Sequence, residues 1–248
     1  MRKNIRDAAK LILKSKYPSA FTGAGISKES GIPTFRGEDG LWAKYDPDLF
    51  HISYFTANPA ESWKLLKKLF FETFAESQPN EAHHVLARFE QRGLIKALIT
   101  QNIDNLHFEA GSRNIAEYHG ACRNLVCLKC GKIVRASDEI LEKPLPTCGC
   151  GGILKPDIVF FGEEIPDRAV NKAQDIVERT DIMIVVGTTG EIYPASYIPI
   201  DANSRGAKII EVNTKPSRYT YVITDIFLEG KASTVLKDLE YEIDLLLT

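Results

Sequence analysis

The run Ile182-Met183-Ile184-Val185-Val186 is apolar at five consecutive positions and ends on Gly187. A strand with one wet face alternates apolar and polar residues. A continuous apolar run needs cover on both faces, as for a strand inside a parallel sheet. Ser19-Ala20-Phe21-Thr22, Leu94-Ile95-Lys96-Ala97-Leu98-Ile99-Thr100 and Ala207-Lys208-Ile209-Ile210-Glu211-Val212-Asn213 are further strand-like segments. Helical stretches lie between them: Glu81 to Arg92, which Gly93 closes as a C-terminal cap, and Asp167 to Arg179. This alternation predicts an α/β fold with a doubly wound parallel sheet. Ahead of the first strand, Ile5, Ala8, Ala9 and Ile12 recur at helical spacing and predict an amphipathic helix.

Two regions interrupt the pattern. Residues 38–77 carry aromatics and helical periodicity without a strand signal, and residues 121–153 hold a cysteine cluster. The expected organisation is one α/β domain built from 1–37, 78–120 and 154–248, with a helical insert at 38–77 and a metal-binding insert at 121–153. The 248 residues suffice for this. A net charge of −2 provides no field to draw nucleic acid or an anionic membrane. No apolar run approaches the roughly 20 residues of a membrane helix. The short patch Leu11-Ile12-Leu13 in the basic N-terminus is too brief for a signal peptide, so a cytoplasmic location is expected.

Cys127-x-x-Cys130 and Cys148-x-Cys150 are separated by 17 residues. Four thiolates on two short turns suit a tetrahedral zinc ion with no open position, which is a structural rather than a catalytic site. Such tight pairs fit metal ligands in a reducing compartment better than disulfides. A redox Cys-x-x-Cys is the alternative, weakened by the second pair. Cys122 reads as a small buried hydrophobe.

Gly23-x-Gly25 follows the first strand. Glycines there permit a tight turn that brings backbone N–H groups to a phosphate, with the next helix adding its positive end. Lys28 stands where a third glycine would complete the dinucleotide fingerprint, so the motif reads equally as a plain strand-to-helix turn. Gln101-Asn102-Ile103-Asp104 follows another strand, where open α/β sheets place ligand contacts; a helix cap by Asn102 or Asp104 is the alternative. His119, beside Gly120 at the junction with the cysteine insert, is a candidate general base. His51, His83, His84 and His107 receive no chemical role. Gly187-Thr188-Thr189 and Val212-Asn213 end two more strands. Four strand ends with small polar residues on one edge suggest a dinucleotide crevice.

Taken in order, Gly-Ala-Gly-Ile-Ser at 23–27, Gly-Ile-Pro-Thr-Phe-Arg-Gly at 31–37, Gly-Leu-Trp at 40–42, Gln-Pro-Asn at 78–80, Thr-Gln-Asn-Ile-Asp at 100–104, Leu-His at 106–107, His-Gly at 119–120, the four cysteines, Phe-Phe-Gly-Glu at 160–163, Gly-Thr-Thr at 187–189 and Val-Asn at 212–213 resemble the sirtuin family over nearly the whole chain. The resemblance implies a Rossmann-like domain with a small zinc-ribbon domain. It implies NAD and one structural zinc ion as cofactors, and acylated-lysine proteins or peptides as partners. The implied reaction moves the acyl group from lysine to ADP-ribose, releasing nicotinamide and O-acyl-ADP-ribose.

By the same resemblance, His119 is the general base that activates a ribose hydroxyl. Asn102 holds the nicotinamide ribose and an ordered water, Ile103 and Asp104 bind the carboxamide, and Gln101 touches the ribose. Ala24, Gly25, Thr188 and Thr189 line the phosphate and ribose path, and Gly23, Ile26, Ser27, Thr34, Trp42, Gly187 and Thr214 belong to the same cofactor-binding set. Phe35 shields the reactive ribose carbon, Arg36 steadies the loop and phosphates, and Asn213 and Ala232 border the adenosine. Val159, Phe160, Phe161, Gly162 and Glu163 are implied to pair with the substrate backbone as an added strand.

Three departures stand out. Gly-Thr-Thr replaces the usual Gly-Thr-Ser or Gly-Ser-Ser. Glu191 adds a negative charge near the expected phosphate path. Leu66 and Leu69 occupy the positions where desuccinylating and demalonylating members carry a Tyr-x-x-Arg pair. Two leucines cannot grip a carboxylate, so acetyl or longer apolar acyl groups are expected, although Lys67 and Lys68 next door leave another acid-binding solution open and the leucines could equally pack in a helical core. Transfer of ADP-ribose to protein side chains is the alternative reaction, and a non-catalytic zinc- and nucleotide-binding module a third reading.

Overall fold

The apolar runs form the centre of a sheet because no other place covers both of their faces. The computed structural model describes residues 2–35 and 40–248. Its strands are β1 Pro18–Thr22, β2 Ala97–Thr100, β3 Ile115–Glu117, β4 Gly120–Cys127, β5 Ile133–Arg135, β6 Leu154–Ile158, β7 Ile182–Val186, β8 Lys208–Asn213 and β9 Ile226–Glu229. Every residue of β1 and of β7 is buried. Six strands make one parallel sheet in the order β3-β2-β1-β7-β8-β9. The chain winds outward from β1 through β2 to β3. It then returns to lay β7 beside β1 and winds the other way. That reversal is the switch point at which doubly wound sheets open a crevice.

Alternate side chains of each strand enter opposite cores. Ala20, Leu98, Ile184 and Ile210 meet the helices Arg2–Lys14, Glu81–Gln91 and Ala232–Leu247. Phe21, Ile99, Val185 and Ile209 meet Asp167–Arg179 and Tyr197–Ser204. The buried residues of the first helix are Ile5, Ala8, Ala9 and Ile12, the set expected from its periodicity. Gly93 sits at φ +71 just beyond Glu81–Gln91, a left-handed stop that favours glycine.

The two inserts form one lobe. β4, β5 and β6 make a small antiparallel sheet in the order β5-β4-β6. The short helices of residues 41–76 lie on it. Phe55, Trp63, Leu66 and Phe70 share a core with Leu125, Cys127, Leu154 and Phe160. Trp63 is wholly buried, and its Nε1–H donates to the Leu154 carbonyl at 2.8 Å. Truncating such a residue costs about 3–5 kcal/mol. The small sheet continues through β6 to Ile158, past the boundary at 153 that the cysteines suggest. Among the described residues, no helix is long and apolar enough to cross a membrane.

Candidate active site

The switch point lies between the ends of β1 and β7, and its glycines are there for close approach. The Gly23 amide donates to the Val186 carbonyl at 3.0 Å, and the Gly25 amide to the Gly187 carbonyl at 2.8 Å. A Cβ on Gly25 would stand 2.7 Å from the Gly187 oxygen, and one on Gly23 2.8 Å from the Thr188 Cβ. Gly187 itself has φ +64. The plain-turn reading of Gly23 and Gly25 therefore holds as a packing fact, and it is what brings both backbones to the crevice. The element that follows, Ala24–Ser30, is a 3-10 helix rather than an α-helix. Ile26 is fully buried in the sheet core, and its backbone is engaged as well: its amide donates to the Gly23 carbonyl at 3.1 Å and its carbonyl accepts from the Asn80 Nδ2 at 2.8 Å.

A buried polar network underlies this corner. The Asn102 Nδ2 donates to the Gly23 carbonyl at 3.3 Å and to the Ser27 Oγ at 3.1 Å. The Ser27 hydroxyl donates to the Asp104 Oδ2 at 2.6 Å, while the Asp104 Oδ1 accepts from the Leu106 amide at 3.0 Å. Asp104 thus caps the following turn with one oxygen and closes the network with the other. Burial raises its carboxyl above the usual range; the bonds from Ser27 and the backbone oppose the rise.

Two histidines with no role expected from the sequence support the network from below. The Nδ1 of His83 accepts from the Asn80 amide at 3.2 Å, which leaves the proton on Nε2, 3.4 Å from the Ser27 Oγ. The Nε2 of His107 lies 2.9 Å from the Thr22 Oγ1, whose hydroxyl donates to the Thr100 Oγ1 at 2.8 Å. The two rings are 4.8 Å apart. Burial holds His83 well below its ordinary value and lowers His107 to about 3, so both are neutral. A signal for His83 was present: it stands three residues after Asn80, where a capping-box partner belongs, and it makes that bond.

His119 sits between β3 and β4. Its Nδ1 is 3.1 Å from the Gln101 carbonyl. A carbonyl only accepts, so Nδ1 carries the proton and Nε2 keeps a lone pair. Burial lowers the imidazole and the Gln101 bond opposes that, leaving a neutral ring near pH 7. Gly120 holds φ +80, and a Cβ there would meet the Asp157 oxygen at 2.1 Å. The Gln101 Nε2 reaches the Thr188 Oγ1 at 3.2 Å, and the Asn213 Nδ2 the Thr188 carbonyl at 2.9 Å. The Thr214 amide donates to the Asn213 Oδ1 at 3.0 Å. The Gly230 amide donates to the Asn213 carbonyl at 2.9 Å, which sets Ala232, at the start of the last helix, beside the same edge. Glu191 lies 3.5 Å from the Thr189 Oγ1 and 3.6 Å from the Arg218 Nε, a countercharge not evident in the sequence.

Above the crevice, the Leu41 amide bonds the Thr34 carbonyl and the Trp42 amide the Phe35 carbonyl, each at 2.9 Å. Trp42 packs at a tilt against Phe35, ring centres 5.4 Å apart, and meets Phe161 at 5.8 Å. Arg36 lies outside the described residues. A pocket is walled by Ala24, Phe35, Leu69, Phe74, Asn102 and Asp104. Leu69 therefore lines it, whereas Leu66 is spent on the lobe core. Lys67 turns away to bond the Lys143 carbonyl.

The stretch Val159–Glu163, expected to pair with the substrate backbone as an added strand, forms a pinned turn about Gly162. The Glu163 amide donates to the Phe160 carbonyl at 3.1 Å across Gly162 at φ +83, the backbone a glycine accepts at the third position of a turn. Val159 bonds the His119 carbonyl at 2.9 Å and Phe161 the Phe50 carbonyl at 3.1 Å. The Phe160 amide donates to the Glu163 Oε2 at 2.9 Å. The Gly162 amide donates to none of the described residues.

The Sγ atoms of Cys127, Cys130, Cys148 and Cys150 all lie within 4.8 Å of one another, with Cys127 3.5 Å from Cys150 and Cys130 3.9 Å from Cys148. A tetrahedral zinc–thiolate site spaces its sulfurs by about 3.8 Å. A Cβ on Gly152 would stand 2.6 Å from the Cys127 sulfur. The donor set and its spacing fit zinc, with all four positions filled. Cys122 is buried, and burial pushes its thiol up, as befits a small apolar residue.

The Sir2 family model matches residues 23–194. The NAD-dependent protein deacylase of Pyrococcus furiosus is 44% identical over 244 residues, covering 96% of this chain and 97% of its own. A solved Sir2 homologue in complex with NAD is 41% identical with a TM-score of 0.91, covering 98% of this chain and 94% of its own. A solved Sir2 complex with a p53 peptide and NAD is 33% identical with a TM-score of 0.88, covering 97% and 99%. A switch-point crevice with an unprotonated histidine nitrogen, a four-thiolate lobe and these relatives agree: the chain belongs to the Sir2 family.

Proposed function

We infer that this chain is an NAD-dependent protein-lysine deacylase that transfers an acyl group from lysine to ADP-ribose. The observation that carries the reading is His119: a neutral imidazole whose Nδ1 is fixed on the Gln101 carbonyl, which leaves the lone pair of Nε2 free to accept a proton. NAD, when bound, supplies an electrophilic ribose carbon and the neighbouring hydroxyls that receive the acyl group.

The chain supplies the rest. His119 Nε2 takes the proton of a ribose hydroxyl. Gln101, Asn102, Ile103 and Asp104 orient the nicotinamide half, with Asn102 donating to Ser27 and Ser27 donating in turn to Asp104. Ala24, Thr188 and Thr189 offer backbone and hydroxyl groups to phosphates and ribose, Gly23, Gly25 and Gly187, whose amides are bonded within the protein, shape the close approach of the chain there, and Asn213, Thr214 and Ala232 border the adenosine. Phe35, backed by Trp42, excludes water from the reacting centre. The 159–163 turn binds the peptide through the Gly162 amide. Leu69 and the aromatic wall of the pocket favour acetyl or longer apolar acyl groups over succinyl or malonyl. Zinc at the four cysteines stabilises the lobe without entering the chemistry. Unbridged thiols held ready for metal suit a cytoplasmic location.

Mass spectrometry of the protein with NAD and peptides bearing acetyl-, succinyl- or myristoyl-lysine tests this. Loss of acetyl or myristoyl with formation of O-acyl-ADP-ribose is expected. ADP-ribose retained on protein without deacylation would favour side-chain ADP-ribosylation, and preference for succinyl-lysine would overturn the role of Leu69.

A further inference from the structure

Lys155, on β6, is an almost wholly buried cation, its side chain 4% exposed. Its Nζ donates to the Ile158 carbonyl at 2.6 Å and to the Glu163 Oε2 at 2.9 Å, and lies 4.4 Å from the centre of the Phe160 ring. The same Glu163 oxygen accepts from the Phe160 amide. One carboxylate oxygen therefore receives both the ammonium and a backbone N–H, and one ammonium ties both ends of the segment 158–163. Burial pulls the Lys155 ammonium below its ordinary value, and Glu163 opposes that.

Such a pair is weak evidence for a stabilising role: desolvating the Lys155 ammonium offsets much of the attraction, and an apolar residue often serves as well at a buried position. What the pair does that an apolar residue could not is occupy particular backbone groups. It takes the Phe160 N–H and the Ile158 carbonyl, while Phe50 and Ile52 take the N–H and carbonyl of Phe161. On the other flank, His51 Nε2 would stand 2.4 Å from a Cβ on Gly162. The turn is held from both sides, with the Gly162 amide as its remaining donor.

We propose that Lys155 and Glu163 are positioning residues for the acyl-lysine peptide: the ion pair of buried Lys155 with half-buried Glu163 locks the Phe160–Glu163 turn in the conformation that offers the Gly162 amide to a substrate carbonyl. The proposal rests on the assignment of this turn to substrate binding. It predicts an effect on the peptide and none on the nucleotide, because neither side chain touches the β1–β7 crevice residues.

The test uses the zinc-loaded full chain and a fluorescein-labelled acetyl-lysine peptide, with binding read by anisotropy and ADP-ribose binding read by calorimetry. Glu163→Ala should weaken the peptide about tenfold or more, the scale of losing a charge-assisted hydrogen bond. Glu163→Gln, which keeps an acceptor, should weaken it less and also serves if the alanine variant fails to fold. Lys155→Met should fall with Glu163→Ala, and ADP-ribose affinity should stay within about twofold of wild type. In turnover the loss should fall on the peptide KM rather than on kcat. An unchanged peptide affinity, or parallel losses of peptide, ADP-ribose and zinc, would overturn the proposal. Peptides with single amides beside the lysine replaced by esters separate the two layers of argument. If no ester weakens binding to wild type, the turn is not the substrate contact. If one does, and its penalty is the same in Glu163→Ala, the turn stands and the positioning role falls.

Discussion

β7 buries all five of its residues between two helical layers, whereas β5 leaves Ile133 and Arg135 exposed and has a single neighbour. The large sheet is held by apolar burial on both faces. The small sheet has one apolar face, covered by the helices of residues 41–76, and relies on four cysteines, of which Cys127 and Cys148 adjoin that same core. The two regions therefore answer to different perturbations, and the catalytic candidates sit where they meet. His119 lies between the last strand on one edge of the large sheet and the first strand of the small one, and Arg123 of β4 is paired with Glu117 of β3 across the same junction.

Metal removal should separate the regions most. Apparent zinc-binding energies in small modules are about 10–16 kcal/mol and are coupled to folding. Chelation, or Cys148→Ala, should abolish deacylation and erase hydrogen-exchange protection in β4–β6 while β1, β7 and β8 keep theirs. Loss of protection in both regions at once would make the molecule a single cooperative unit.

A smaller effect is expected from His119→Ala. It removes the base together with one ring contact to Tyr118 and the bond to the Gln101 carbonyl, so kcat should fall about 10²–10⁴-fold, far more than the melting temperature or zinc content changes. Activity of the unaltered protein should decline as pH drops through the lowered His119 value, because the protonated ring cannot accept a proton. An active alanine variant would remove His119 from the mechanism.

The smallest effect is a pH dependence of stability carried by the large domain. His83 and His107 are lowered by burial in the folded state. Unfolded, each takes up a proton below about pH 6.5, so the unfolded chain binds more protons and stability is lost as pH falls. Each contributes up to about 1.4 kcal/mol per pH unit between the unfolded value and the folded one, which for His107 is about 3. Urea titrations from pH 7 to 5 should show the decline, and His107→Gln should flatten it. A flat profile in the wild type would mean that these rings are not buried in solution as they are here.

Legibility followed the range of the interactions. The helix face Ile5, Ala8, Ala9, Ile12, the helix Asp167–Arg179 and the strand at Ile182–Val186 were readable because burial imposes its period on neighbouring residues. The four cysteines were readable because metal geometry demands two short, close pairs. β9 and the short edge strand β3 were not, since an edge strand is held from one side and carries little apolar signal. Beyond the local cap of His83 on Asn80, the histidine support beneath Ser27 was hidden because its partners, Thr22, Ser27 and Thr100, come from segments distant from either histidine or from one another.

The sequence by itself determined the fold class, the thiolate set and the order of motifs that fall on one sheet edge, since each is written in local spacing and residue type. Only the tertiary structure decided that Gly25 is required by the Gly187 backbone, that Leu69 faces the pocket while Leu66 fills a core, that the two inserts are one lobe, and that Val159–Glu163 is a turn tied to a buried lysine. These are contacts between segments far apart in the chain. Their geometry depends on how the sheet closes around β1 and β7, which no local pattern encodes.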